Sequence, residues 1–278
     1  MKMIIPIGSG FVLTITNYPE NPPGFPTARL QKGLLLQDDG EELAEEGVGF
    51  GVPVIMRGLQ AIFPGGIQLF VSEEGPLQVV KAIYTINLEE KIGKPAQKEI
   101  EIKLLYAVKN YLAAFIRRLP FLRGLLTAVS SLLRKVFGWE TLYKKSRFSV
   151  EVQMIYTIDQ PAGIVNVAME KFDLSTSGIT EIIVMNEQGA RTFDHYIDSS
   201  GNTLQGIEIG CWDEVTAQVA SFISPSHAVA FSLEQVAGAK LYRGRELVGS
   251  RLSWAGFGYS FPPHCEHFRY QVKIGRIA

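Results

Sequence analysis

From Phe148 to Asp159 apolar and polar side chains alternate, with Phe148, Val150, Val152, Met154, Tyr156 and Ile158 on one side and Ser149, Glu151, Gln153, Ile155, Thr157 and Asp159 on the other. Successive side chains of a strand point to opposite faces, so this stretch reads as a strand with one buried and one mostly wet face. The same period recurs in Val80, Ala82, Tyr84, Ile86 and Leu88, and again in Phe268, Tyr270, Val272 and Ile274. Such alternation suits antiparallel sheets, because parallel strands are covered on both faces and read as continuous apolar runs.

Further strands are expected at Phe11 to Thr16, Gly66 to Ser72, Ile164 to Asp173, Ile179 to Asn186, Thr203 to Cys211, Ala228 to Gln235 and Ser250 to Gly256. Turn signals at Asn186 to Gly189 and at Asp198 to Asn202 separate them. Many short strands with little helix between them predict one mainly β domain over residues 1–278, a large antiparallel β-sandwich of up to super-sandwich size. A hydrophobic share of 46% is enough to fill its core. The phrase IYTI occurs twice, at Ile83 to Ile86 and at Ile155 to Ile158, on either side of a segment of different character. The two copies would suit strands flanking a common point of insertion.

That segment, Lys103 to Trp139, holds seven Lys or Arg and no Asp or Glu. Leu122, Leu125, Leu126, Val129, Leu132, Leu133 and Val136 follow the three-and-four spacing of one helix face. Leu104 to Leu119 reads as an earlier helix, and Pro120 separates the two. An inserted amphipathic helical hairpin is therefore expected. Arg117, Arg118, Arg123, Arg134 and Lys135 would form its cationic side, facing solvent, an anionic membrane surface or an acidic protein partner.

A net charge of −1 provides no general attraction to nucleic acid. Two cysteines, Cys211 and Cys265, are too few for a disulfide framework and are expected as buried free thiols. The first ten residues lack the pattern of a secretory signal, and the longest uncharged run, Val215 to Leu233, is broken by a turn at Ser224-Pro225-Ser226-His227. A soluble, cytoplasmic protein is the expectation. The acidic run Asp38 to Glu46 lacks the ligand spacing of a calcium loop, and Gly47, Gly49 and Gly51 lack the Lys of a phosphate-binding loop and read as turn glycines. No metal site or cofactor is expected.

His264 and Glu266 would share a face if the last strand began at His264, making an acid/base or ligand-orienting pair with His195 or His227 as a third member, and all four would serve a hydrolase or metal-enzyme reading. Within a strand Asp194 and His195 point apart, which would exclude a pair between them. Trp254, Tyr259 and Phe261 lie in the glycine- and proline-rich WAGFGYSFPP, either as core and turn packing or as exposed rings of a ligand loop that stack on sugars. The strand number is similar to that of the large sandwiches of sugar mutarotases and polysaccharide lyases, an analogy of fold that carries no residues over. Carbohydrate binding or processing is the first functional expectation, and peripheral attachment through the basic insertion is the second.

Overall fold

The computed structural model describes residues 2–17, 32–58, 60–74, 77–92, 142–170, 178–248, 252–265 and 267–277. In chain order the strands are β1 (Lys2–Ile7), β2 (Phe11–Thr16), β3 (Leu35–Asp38), β4 (Glu41–Glu42), β5 (Gly49–Arg57), β6 (Gln60–Ile62), β7 (Gly66–Glu74), β8 (Leu77–Ile92), β9 (Leu142–Asp159) and β10 (Ile164–Glu170). They continue as β11 (Glu181–Gln188), β12 (His195–Asp198), β13 (Thr203–Gln205), β14 (Cys211–Glu214), β15 (Val219–Ser224), β16 (Val229–Glu234), β17 (Lys240–Val248), β18 (Leu252–Phe261) and β19 (His267–Arg276). Among the described residues there is no α-helix, and the expected helical insertion, with its five cationic residues, lies outside them.

The chain divides into two compact units, Met1–Leu88 with Phe148–Ala278, and Glu89–Arg147. The second is described only at 89–92 and 142–147, both strand. The first is built on a nine-stranded sheet in the order β13-β12-β15-β16-β19-β10-β9-β8-β7 and a six-stranded sheet in the order β14-β17-β18-β11-β5-β6, with β1 to β4 as a smaller sheet. Among the described residues, β9, β10 and β19, β5, β11, β18 and β17, and β15 and β16 pair antiparallel. The alternation explains the layering. Val152, Met154, Tyr156 and Ile158 of β9 are fully buried, and Val80, Ala82, Tyr84 and Ile86 of β8 lie beside them. From the six-stranded sheet, Phe257 meets Phe222 at 4.8 Å between ring centroids, and Phe50 meets Phe231 at 5.1 Å, both edge-on. This interdigitation of two inner faces is that of a β-sandwich.

Polar groups also cross between the sheets. The tyrosine of each IYTI copy points inward, and the Tyr84 and Tyr156 hydroxyls are 2.7 Å apart. Tyr156 donates to the Gly51 carbonyl at 2.8 Å, and Tyr84 to the Lys32 carbonyl at 2.8 Å. Tyr270 donates to Asn186 Oδ1, which also accepts from the Gly51 N–H. Burial pushes the hydroxyls of Tyr84, Tyr156 and Tyr270 well above the usual tyrosine range. Lys32, 1% exposed, donates from Nζ to the Pro64 carbonyl, and burial pulls its ammonium down to about 8.

Several expectations are corrected by this arrangement. Gly49 and Gly51 lie in β5 rather than a turn. Gly51 has φ +77°, and an added Cβ would fall 2.4 Å from the Tyr156 ring, so glycine lets the strand pass beneath that ring. Asn186, Glu187 and Gln188 are the buried end of β11, not a turn. Gln188 there bonds the Leu36 N–H and the Leu34 carbonyl with its side-chain amide, and Glu187 accepts from the Val48 N–H. The expected strand Thr203 to Cys211 is broken by a 3-10 turn at Gly206–Ile209. Neither cysteine is fully buried as expected, since Cys211 is exposed and Cys265 half-buried.

Candidate functional site

The expected histidine cluster does not assemble. The last strand starts at His267, so His264 sits in the preceding turn, where the Cys265 N–H bonds the Pro262 carbonyl, and its side chain is exposed. Glu266 lies outside the described residues. His195 begins β12, and its row across the sheet runs through Ile223 and Ala230 to Gly275. That places it roughly 27 Å along β19 from His267, at about 3.4 Å per residue. Its Nδ1 lies 2.7 Å from Asp194 Oδ1, although strand alternation would hold these side chains apart. Asp194 precedes the strand, so alternation does not govern it. His227 lies in the turn between β15 and β16, with Nδ1 3.2 Å from Asp38 Oδ2. Arg276 approaches the same carboxylate at 3.7 Å and lies over the Phe11 ring. Among the described residues no group of three or more His, Cys, Asp or Glu is placed to hold a metal ion.

The expected ligand loop is a core strand. WAGFGYSF belongs to β18, where Trp254, Tyr259 and Phe261 are at most 4% exposed. Tyr259 packs on Phe268 and Tyr270 with centroids 5.2 and 4.7 Å away, and its hydroxyl donates to the Glu234 carbonyl. Gly256 and Gly258 among the aromatics, with Pro262 and Pro263 after them, suggest a loop. The two glycines are instead positions where neighbouring backbone and rings leave no room for a side chain. At Gly256 an added Cβ would fall 2.0 Å from the Asn186 carbonyl oxygen.

The polar residues that do come together lie on the outward face of β9, β10 and β19. The pairing sets them in rows, Thr157 beside Asn166 beside Gln271, then Ile155, Ala168 and Arg269, then Gln153, Glu170 and His267. Gln271 Nε2 donates to Asn166 Oδ1 at 2.8 Å, and Gln153 Nε2 to Glu170 Oε2 at 3.2 Å. Arg269 reaches Glu170 Oε1 at 3.8 Å and stays three-quarters exposed. Of these, Thr157, Asn166, Glu170, Arg269 and Gln271 line a depression of about 480 Å³, within the size range of small-ligand sites. Two amides, a carboxylate and a guanidinium within three successive rows supply both donors and acceptors on planar groups, an arrangement suited to neighbouring hydroxyls of one ligand. The face continues through Lys273, which pairs with Glu234, and through Ser232 and Ser221, whose hydroxyls are 2.7 Å apart.

The alternation identified this face as wet but did not separate a binding face from a merely solvated one, because polar outward residues are the default of any half-buried sheet. The register that unites Asn166 with Gln271, 105 positions away, carries no local signal.

No protein-family model matches the chain. No curated protein matches it in sequence. Among solved structures it is similar to the alpha-N-acetylgalactosaminidase NagBb from Bifidobacterium bifidum in complex with Gal-NHAc-DNJ, with a TM-score of 0.53 at 10% identity, over 99% of this chain and 36% of that one. The GalNAc complex of the same enzyme aligns with a TM-score of 0.51 at 9% identity, over the same shares. The chain thus spans about a third of that enzyme's length, and the likeness is one of β-sandwich fold.

Proposed function

We propose that this chain is a carbohydrate-binding β-sandwich whose site is the outward face of β9, β10 and β19. The observation that carries the reading is the set of planar hydrogen-bonding groups around one depression, namely Asn166, Gln271, Glu170 and Arg269. Sugar hydroxyls occur as vicinal pairs that donate and accept at once, and amide, carboxylate and guanidinium groups match such pairs two bonds at a time. The fold likeness to part of an enzyme bound to GalNAc supports the same class of ligand. Among the described residues that line the depression Glu170 is the one carboxylate, whereas glycoside hydrolysis uses two flanking the scissile bond. The proposal is accordingly one of binding.

Calorimetry of the chain against a panel of monosaccharides and short oligosaccharides, including N-acetylgalactosamine and galactose, tests it. Saturable binding that is weakened about tenfold or more in the Asn166→Ala/Gln271→Ala variant is the expected result. Binding by no member of the panel, or binding indifferent to the double substitution, would overturn the assignment of this face.

A further inference from the structure

We propose a second saccharide site, on the outer face of the six-stranded sheet, where Trp212 and Tyr242 form an aromatic platform for pyranose rings of an oligosaccharide. The two rings are half-buried and nearly parallel, with an interplanar angle of 9° and centroids 6.1 Å apart. Trp212 sits at a bulge in the pairing of β14 with β17, with φ at +68°. A bulky side chain rarely takes that conformation, which favours Gly, Asn or Asp. The sheet beneath is cleared for the rings. A Cβ on Gly258, the residue opposite Tyr242, would fall 2.5 Å from the Trp212 ring, and one on Gly244 would fall 2.7 Å from the Trp254 ring. Trp254 in turn meets Trp212 edge-on at 6.0 Å and fixes its orientation. A strained backbone, two strand glycines and a buried tryptophan thus converge on holding one partly exposed indole beside a tyrosine.

The surroundings indicate the ligand. Alternation along β17 and β18 puts Lys240 and Ser260 on the same face as Tyr242 and Gly258, one row further on. That row opens into a depression of about 510 Å³ lined also by Thr180, Glu181 and Phe261. Ser260 donates to Glu181, and Lys240 pairs with Glu214, the cross-strand neighbour of Tyr242. Parallel aromatic rings followed by hydroxyl, carboxylate and ammonium groups match an extended chain of pyranoses, whose C–H faces stack while their edges hydrogen-bond. This surface belongs to the other sheet from the face proposed above and stands without it.

The test uses the full chain carrying Asn166→Ala and Gln271→Ala, so that loss of the first face leaves the second readable. Maltohexaose, cellohexaose and chitohexaose are titrated while tryptophan emission is followed. Saturable change with at least one of them, weakened roughly five- to tenfold by Tyr242→Ala or Trp212→Phe, is the expected result, the magnitude being that of one lost aromatic contact. Circular dichroism verifies that each variant keeps its fold. No saturable change with any hexaose, or affinities unaltered in folded Tyr242→Ala and Trp212→Phe, would overturn the proposal.

Discussion

Tyr156 and Thr157 are consecutive on β9, yet they belong to regions with opposite demands. Tyr156 is fully buried in the seam between the sheets, and its hydroxyl is held between Tyr84 and the Gly51 carbonyl. Thr157 faces outward beside Asn166 and Gln271. In the seam every hydrogen bond replaces one that water can no longer supply, so removing a partner leaves a desolvated group behind. On the outward face water stands ready to substitute, so the same chemistry adds little to stability and remains available to a ligand. A polar group on this fold is thus structural or functional according to the face it occupies, not according to its type.

The sharpest way to break the contrast is at Gly51. Gly51→Ala forces a left-handed backbone on alanine and drives a methyl into the Tyr156 ring, and urea unfolding should show a loss of about 3 kcal/mol or more. Tyr156→Phe keeps the ring and deletes the hydroxyl that donates to the Gly51 carbonyl, for an expected loss of about 1–3 kcal/mol. Losses under about 0.5 kcal/mol in both, the range of ordinary surface substitutions, would mean that the seam is wet and the contrast false.

Titration sharpens it next. Lys32 has its ammonium pulled from 10.5 to about 8 by burial. Between those values the unfolded chain holds a proton that the native chain has released, so stability rises with pH over that interval. The buried tyrosines act in the opposite sense. Their native hydroxyls titrate well above the ordinary 10.0, so above about pH 10 the unfolded chain loses protons that the native chain keeps, and stability falls. Midpoints of urea unfolding followed from pH 7 to 11 should climb from about 8 toward 10 and then decline, with a slope on the rise of at most about 1.4 kcal/mol per pH unit from one group. Lys32→Met should abolish the climb and keep the decline. A flat profile in the parent chain would place Lys32 in contact with water.

How much of this was legible in the sequence follows from the same division of faces. The period of two in β8, β9 and β19 assigns the buried residues correctly, because inward positions of a half-wet sheet are selected for apolarity one by one. It fails at the end of β11, where Asn186, Glu187 and Gln188 are all buried and bond backbone groups of β3, of β5 and of the residues just before each of them. Their composition is that of a turn, and only distant partners make it a strand. It fails again at β18, whose glycines mark close approaches rather than flexibility. The candidate faces were less legible still. Asn166 and Gln271 meet through a register set by the whole sheet, and Trp212 owes its position to a bulge that no local pattern announces.

The smallest expected change in stability carries the most weight for function. Gln271 Nε2 donates to Asn166 Oδ1 at 2.8 Å on the exposed face, and the Asn166 amide nitrogen lies a marginal 3.5 Å from the Thr157 carbonyl. Removing both amides exposes groups that water can solvate, so Asn166→Ala/Gln271→Ala should shift the unfolding free energy by no more than about 0.5 kcal/mol. The same two amides would supply several of the bonds to a bound sugar, and their loss should weaken binding by about tenfold or more. Stability and affinity measured side by side on this variant therefore separate the two regions. A fall in stability above about 1 kcal/mol, the scale of a structural hydrogen bond, would place the pair with the seam as part of the scaffold, and the outward face would lose its claim to be held free for a ligand.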